Sequence, residues 1–409
     1  MAKIAVLGYG TVGSGVVEVI RTNGALMAAR LGEEIEVKHV LDLRSFPGDP
    51  VEAVLTNDYQ KILADPEVEL VCEVMGGLHP AYEFVKQALT QGKSVVTSNK
   101  ELVAQVGTEL LAVAGAHGVN FMFEASVGGG IPVIRPLYTA LMPERIEEII
   151  GILNGTTNFM LTAMEKEGAQ FDAVLKKAQQ LGYAEADPAA DVEGHDARRK
   201  IAILSSIAYE KAVSFEDVYT EGITELTAAD FIYAKELGGT IKLVGRSCRQ
   251  GDAVSAAVMP LLLEHQHPLA GVCGVMNAIL VRGNTLGEVM LYGSGAGKLP
   301  TASAVVSDIL ACLQNRGRHI TARWQAEKQR LQSMEQEAYG QLLRFAGKPD
   351  EKVLKNCFGE GRLLQPAGLT EEYAYLTEAM TETALRAALS DWQSQTGGTC
   401  IGRVRKYNA

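Results

Sequence analysis

Apolar positions along the chain change their spacing several times, and each change marks an element. Lys3 to Leu7 is a nearly continuous apolar run of strand length, after which Val16, Val17 and Ile20 recur at helical spacing. Further short apolar runs predict strands at Glu36–Leu41, Leu70–Val74, Ser94–Thr97 and Asn120–Glu124, with helical patterns between them. Strand and helix in alternation predict an α/β, Rossmann-type sheet over about residues 1–134. The pattern then shifts. Ile146–Leu153 reads as a strand before an amphipathic helix, and Ile241–Arg246, Ala253–Val258 and Ala278–Arg282 read as mixed or antiparallel strands of an α+β domain over 135–300. Leu291–Leu310 is expected to be a glycine-rich turn opening a helix, with Ala304, Val305, Ile309 and Ala311 buried, that returns to the first domain over about 300–320. Residues 321–337, polar from Arg323 to Glu337, are expected to be a helical connector. In 338–409, strand Tyr339–Phe345, helix Pro349–Cys357, strands Arg362–Pro366 and Glu372–Glu378, helix Thr381–Ser394 and strand Cys400–Lys406 give a ferredoxin-like βαββαβ module.

A chain of 409 residues with 47% hydrophobic and 21% charged positions is that of a globular protein of two or three domains. A net charge of −11 gives no basic footprint, which argues against nucleic acid or an anionic membrane as partner. Cys72, Cys248, Cys273, Cys312, Cys357 and Cys400 show no C-x-x-C spacing and read as reduced thiols. His265 and His267 lack a third ligand and read as loop residues. With no bilayer-length apolar run, and a first strand beginning by residue 3, a cytoplasmic location is expected.

Chemistry gathers at separate motifs. Gly8-Tyr9-Gly10-Thr11-Val12-Gly13 lies between a strand and a helix, the context that the G-x-G-x-x-G pattern needs to cradle a pyrophosphate. Asp42, at the end of the second strand, can accept from an adenosine ribose, whereas Arg44 can meet a 2′-phosphate, so NAD and NADP both remain open. Gly76, Lys100 and Glu124 fall at carboxyl ends of strands, where ligands gather. The run Glu124 to Leu137 holds three consecutive glycines with unshielded carbonyls, either a hinge or a site for a hard cation. Asn154 to Asn158 offers helix caps, or donors for a substrate carboxylate. Gly182–Lys200 places five acidic residues and a lysine ahead of an apolar helix. There Asp196 and Lys200 share a face with Ile203, Leu204 and Ile207: either an ordinary surface pair or a charged pair turned inward for a task.

GYGTVG, TSNKELVA, EASVGGGIPVI, GILNGTTN and YAEADPAADVEGHDARRKIAIL, followed by GSGAGKLPTASAVVSD, occur in this order over residues 1–320. On these motifs the chain resembles the homoserine dehydrogenase family, and its tail resembles a regulatory ACT domain, with Gly347-Lys348-Pro349 where the usual proline-glycine turn would stand. With the dinucleotide fold at residue 1, the aspartate kinase half of bifunctional relatives is expected to be lacking. The resemblance implies reversible NAD(P)H-dependent reduction of L-aspartate 4-semialdehyde to L-homoserine, toward threonine, methionine and isoleucine. It implies Lys200 as acid/base with Asp196 beside it, and Lys100 at the junction of nicotinamide and substrate. Glu185 would hold the substrate amino group, with Tyr183, Asp191, Gly155 and Thr156 as further contacts. Gly8, Gly10, Thr11, Val12, Gly13, Asp42, Gly76 and Gly295 would bind cofactor. Glu124 and the backbone oxygens of Val127, Gly129 and Ile131 would hold a monovalent cation, usually sodium. It also implies a homodimer or homotetramer and an amino-acid effector at the tail. The rival readings are another two-domain amino-acid oxidoreductase and a non-catalytic nucleotide sensor.

Overall fold

The computed structural model describes residues 1–320 and 322–408. Its N-terminal part alternates β1 (Ala2–Leu7), α1 (Thr11–Leu31), β2 (Ile35–Leu41), β3 (Leu55–Thr56), α2 (Tyr59–Leu63), β4 (Val68–Glu73), α3 (Ala81–Thr90), β5 (Ser94–Thr97), α4 (Lys100–Ala116) and β6 (Phe121–Met122). These strands are all parallel, in the order β3-β2-β1-β4-β5-β6. Helices cover both faces of such a sheet, so its central strands must be apolar throughout, and Ile4, Ala5, Val6 and Leu7 are fully buried. The loops after β1, β4 and β5 consequently open on one edge.

The second region follows α5 (Ile134–Tyr138). It runs β7 (Ile146–Ile152), α6 (Gly155–Glu167), α7 (Phe171–Gln180), α8 (Ala189–Val192), α9 (His195–Tyr209), β8 (Lys211–Ala212), β9 (Tyr219–Thr220), α10 (Ala228–Glu236), β10 (Gly239–Gln250), β11 (Ala253–Glu264), β12 (Met276–Gly283) and β13 (Gly287–Ser294). The order β13-β12-β7-β10-β11 is antiparallel. Leu291–Ser294, expected in a turn, form the end of β13. This is an edge strand with five of its eight residues exposed and none buried, so its glycines interrupt no core. α9 lies on the sheet with Ala197, Ile201, Leu204 and Ile207 buried.

From β13 the chain passes into α11 (Lys298–Gln314), whose Ala302, Val305 and Ile309 join the core made by Val16 and Ile20 of α1. Residue 321 lies outside the described residues, and among those described the expected helical connector is absent: Gln325–Lys328 forms β14, paired in parallel with β8, and only Met334–Gln336 turns as a short 3₁₀ segment. Trp324 packs on Phe123 with ring centroids 6.2 Å apart, and Leu331 bridges Val254. Anchors in separate places pull the segment straight, and these contacts override its helix propensity.

The tail comprises β15 (Ala338–Ala346), α12 (Glu351–Phe358), β16 (Gly361–Leu364), β17 (Glu372–Thr377), β18 (Met380–Thr381), α13 (Glu382–Thr396) and β19 (Cys400–Lys406). Its order β19-β15-β17-β16 is antiparallel and ferredoxin-like, and β19 pairs with β11 so that the two sheets join. Buried ions cross the junction: Arg344 donates to Asp230 at 2.9 Å and to Glu372 at 2.9 Å. Asp230 is 2% exposed, so Arg344→Met would strand a charge and is expected to cost about 3–5 kcal/mol. Thermal unfolding checks this, and a Tm within about 2 °C of the parent contradicts it.

Candidate active site

Asp196 and Lys200 lie one turn apart on the buried face of α9, at 4% and 8% exposure. A carboxylate so placed needs positive partners, and Asp196 has two. Lys200 Nζ approaches its Oδ2 at 2.8 Å, and Lys100 Nζ, from the first residue of α4, approaches its Oδ1 at 2.5 Å. Burial alone would raise the Asp196 carboxyl, but the two ammonium groups overcome it and hold it well below the usual carboxylate range. For Lys200 burial prevails instead: it lowers the ammonium, against the pull of Asp196. It also donates to the Leu153 carbonyl at 2.8 Å. Two of its three protons are thus engaged, and no third acceptor reaches it among the described residues.

Asn154, which read as a cap or as a donor to a substrate carboxylate, is the hub of the cluster. Its Oδ1 accepts the Thr157 N–H at 2.9 Å and starts α6, while its Nδ2 donates to Asp191 at 2.7 Å and to Asp196 at 3.0 Å. Burial raises the Asp191 carboxyl. Gly155 and Thr156 follow with first-turn N–H groups at a helix N-terminus, and Thr156 Oγ1 donates to the Tyr183 carbonyl at 2.6 Å. The Tyr183 ring stands against Phe159. The Glu185 side chain is exposed and outside this network, with no partner among the described residues.

On the sheet side, α1 begins at Thr11 with no side-chain cap, leaving N–H groups at the Gly8–Gly13 turn. A Cβ at Gly13 would fall 1.9 Å from the Gly8 carbonyl, whereas one at Gly10 would meet open space. This is a cradle that a phosphate fits and a side chain would fill. Beside it a cavity of about 490 Å³ is lined by Gly8, Gly10, Asp42, Arg44, Met75 and Phe84. Asp42 accepts the Tyr9 N–H at 2.8 Å and both Nε and Nη2 of Arg44 at 2.9 Å, and that guanidinium holds its carboxyl far below the usual range. Gly76 follows β4 at the same edge.

Glu124 is turned toward α5: its Oε1 accepts from Val133 at 2.5 Å and Ile134 at 2.7 Å, and its Oε2 from Arg135 at 2.7 Å. Val127, Gly129 and Ile131 are buried, and their carbonyls receive no hydrogen bond among the described residues. Three undonated carbonyls plus a carboxylate oxygen with a lone pair to spare fit a hard monovalent cation. No group of three His, Cys, Asp or Glu side chains among the described residues suits a metal.

Models of the homoserine dehydrogenase NAD-binding domain and of homoserine dehydrogenase match residues 8–124 and 132–310. The Synechocystis homoserine dehydrogenase is 49% identical over 75% of this chain and 72% of its own length, and that of Bacillus subtilis 45% over 76% and 73%. The chain belongs to the homoserine dehydrogenase family. It is an NAD(P)-dependent oxidoreductase acting on a CH–OH group. The homoserine dehydrogenase of Thiobacillus denitrificans superposes with a TM-score of 0.89 at 38% identity, over 100% of this chain and 98% of that one. That of S. aureus at pH 8.5 gives 0.81 at 32%, over 100% and 99%. A hyperthermophilic archaeal homoserine dehydrogenase mutant, in complex with NADPH, gives 0.64 at 31%, over 76% and 97%.

Asn277, which the sequence does not mark, sits where the halves of this homoserine dehydrogenase site meet. It is 2% exposed and lies flat against Gly295, whose added Cβ would fall 2.0 Å from its Nδ2; on the other side its Oδ1 lies 3.6 Å from a Cβ built on Gly155. Gly295→Ala therefore has to push the turn before α11 away from α6. We expect a fall of about tenfold or more in kcat/KM from the misplacement, with cofactor-free folding intact by circular dichroism; unchanged steady-state kinetics would refute the close packing.

Proposed function

We propose that this homoserine dehydrogenase works through a cleft between the parallel sheet and α6–α9, with Lys200 as the proton donor and acceptor. The carrying observation is the buried carboxylate of Asp196, gripped by Lys200 from one domain and Lys100 from the other. Bound nicotinamide supplies or takes the hydride. As the aldehyde carbon of L-aspartate 4-semialdehyde gains it, charge grows on oxygen, and the third N–H of Lys200 is free to stabilise and then protonate that oxygen. In the reverse direction neutral Lys200, favoured by burial, accepts the hydroxyl proton of homoserine. Asp196 keeps the two ammonium groups apart and oriented, and Lys100 adds positive charge from the cofactor side.

Substrate ends are read by opposite charges. The first-turn N–H groups of Gly155 and Thr156 suit the α-carboxylate, and Asp191 and the unpaired Glu185 suit the α-ammonium. Thr156 and Tyr183 brace that wall through their hydrogen bond. Gly8, Gly10, Thr11, Val12 and Gly13 would cradle the pyrophosphate, with Asp42 at the ribose, Gly76 and Lys100 toward the nicotinamide, and Gly295 closing the cleft. Sodium would rest on Glu124, Val127, Gly129 and Ile131, where its charge would brace the loop that leads into α5. The exposed Leu286, Met290 and Tyr292 at the β13 edge support a homodimer through the second domain. No helix among the described residues is long and apolar enough to cross a membrane, in keeping with a cytoplasmic enzyme. The ferredoxin-like tail is the part suited to an amino-acid effector, tested by assay with and without threonine.

Lys200→Met should lower kcat for homoserine oxidation by about 10²–10⁴-fold while cofactor still binds, as read by nicotinamide fluorescence; near-normal turnover would reject the assignment. Arg44 bears on cofactor choice, because it now occupies the oxygens of Asp42 that a ribose diol would use. Arg44→Ala should raise the NAD-to-NADP ratio of kcat/KM by about tenfold, the worth of one charge-assisted contact to a 2′-phosphate; a ratio that stays put or falls would show that Arg44 does not discriminate.

A further inference from the structure

Glu73, the last residue of β4, is fully buried, yet no lysine or arginine pairs with it among the described residues. It instead joins two loops at the ligand edge of the parallel sheet. Oε1 accepts the Met75 N–H at 2.8 Å, fixing the turn that runs into Gly76 and Gly77. Oε2 accepts the hydroxyl proton of Thr97, the last residue of β5, at 2.5 Å. Thr97 Oγ1 in turn accepts the Asn99 N–H at 2.9 Å. Asn99 is the N-cap of α4: its Oδ1 accepts the Leu102 N–H at 3.1 Å, and its Nδ2 donates back to the Gly77 carbonyl at 2.6 Å. The next residue is Lys100.

We propose that Glu73 is a positioning residue for the reaction: through Thr97 and Asn99 it sets the start of α4, and so the point from which Lys100 reaches Asp196. The inference rests on the reading of Lys100 given above. It follows from donor and acceptor bookkeeping. The Met75 and Gly76 N–H groups and the Asn99 amide face Glu73 as donors, and the Thr97 hydroxyl, already accepting from Asn99, has its own proton to give, so a carboxylate that accepts at both oxygens suits every neighbour. Burying it without a cation is costly, and burial raises its carboxyl accordingly. A neutral threonine or glutamine could fill the space in a purely structural position. What the carboxylate adds is a fixed direction for every bond in the series, ending at the cap of the helix that carries Lys100.

Glu73→Gln keeps the shape but turns an NH₂ toward neighbours that donate. Steady-state kinetics with homoserine would be measured for Glu73→Gln, Thr97→Val, Lys100→Ala and the Glu73→Gln/Lys100→Ala pair, alongside thermal unfolding. The expected result is a fall of about tenfold in kcat for Glu73→Gln, and a similar one for Thr97→Val. In the Lys100→Ala background, Glu73→Gln should have no further effect on kcat, since the group it positions is gone. A destabilised bystander would not show this dependence. An equal loss in both backgrounds, or kcat within twofold of the parent for Glu73→Gln while Lys100→Ala is impaired, overturns the relay and leaves the reading of Lys100 standing. Near-normal kcat for Lys100→Ala overturns both. Should Glu73→Gln not fold, Thr97→Val with and without Lys100→Ala decides by the same criterion.

Discussion

One buried negative charge organises this molecule. A carboxylate at 4% exposure cannot stay ionised on α9 unless cations come to it, and the two that come belong to different domains. Lys200 arrives from the same helix and Lys100 from the first turn of α4. The ion triad therefore does more than stabilise, since by itself a buried pair is weak evidence of stability. It fixes where two lobes meet and leaves a lysine with one uncommitted proton at that meeting place.

The surroundings of the triad keep it in place by different physics. Asn154 ties Asp196 and Asp191 to the N-terminus of α6, so the helix that presents free N–H groups and the helix that carries the lysine are linked through one amide. On the opposite side, α11 carries the chain back onto α1, and the turn before it rests on Asn277. The second domain is braced in turn by the tail through sheet continuity and the Arg344 ion pairs. Rigid supports of this kind suit a site whose main task is to hold a hydride donor, an aldehyde carbon and a proton source in line.

Much of the architecture was legible from residue spacing because the relevant forces are periodic. Runs such as Ile4–Leu7 must be strands buried on both faces, and the shared face of Asp196, Lys200, Ile203 and Ile207 follows from 3.6 residues per turn. Family likeness, carried by ordered motifs, then gave the reaction. Where spacing failed, long-range contacts had decided. Gln325–Lys328 has helix-forming residues but is held as a strand by β8, and Leu291–Ser294 hides an edge strand among glycines. Asn277 and Glu73 went unremarked as site residues for another reason: a strand amide and a buried acid look ordinary until the partners brought to them by folding are known.

The most direct test of the central ion triad is the pH dependence of kcat for homoserine oxidation in Asp196→Asn compared with the unaltered enzyme. Asp196 raises the Lys200 ammonium against burial and against the charge of Lys100, so removing it lets Lys200 lose its proton more easily. The account predicts that the rising limb of the profile moves to lower pH, in addition to any loss of overall rate. A limb that stays in place, or moves to higher pH, would contradict it.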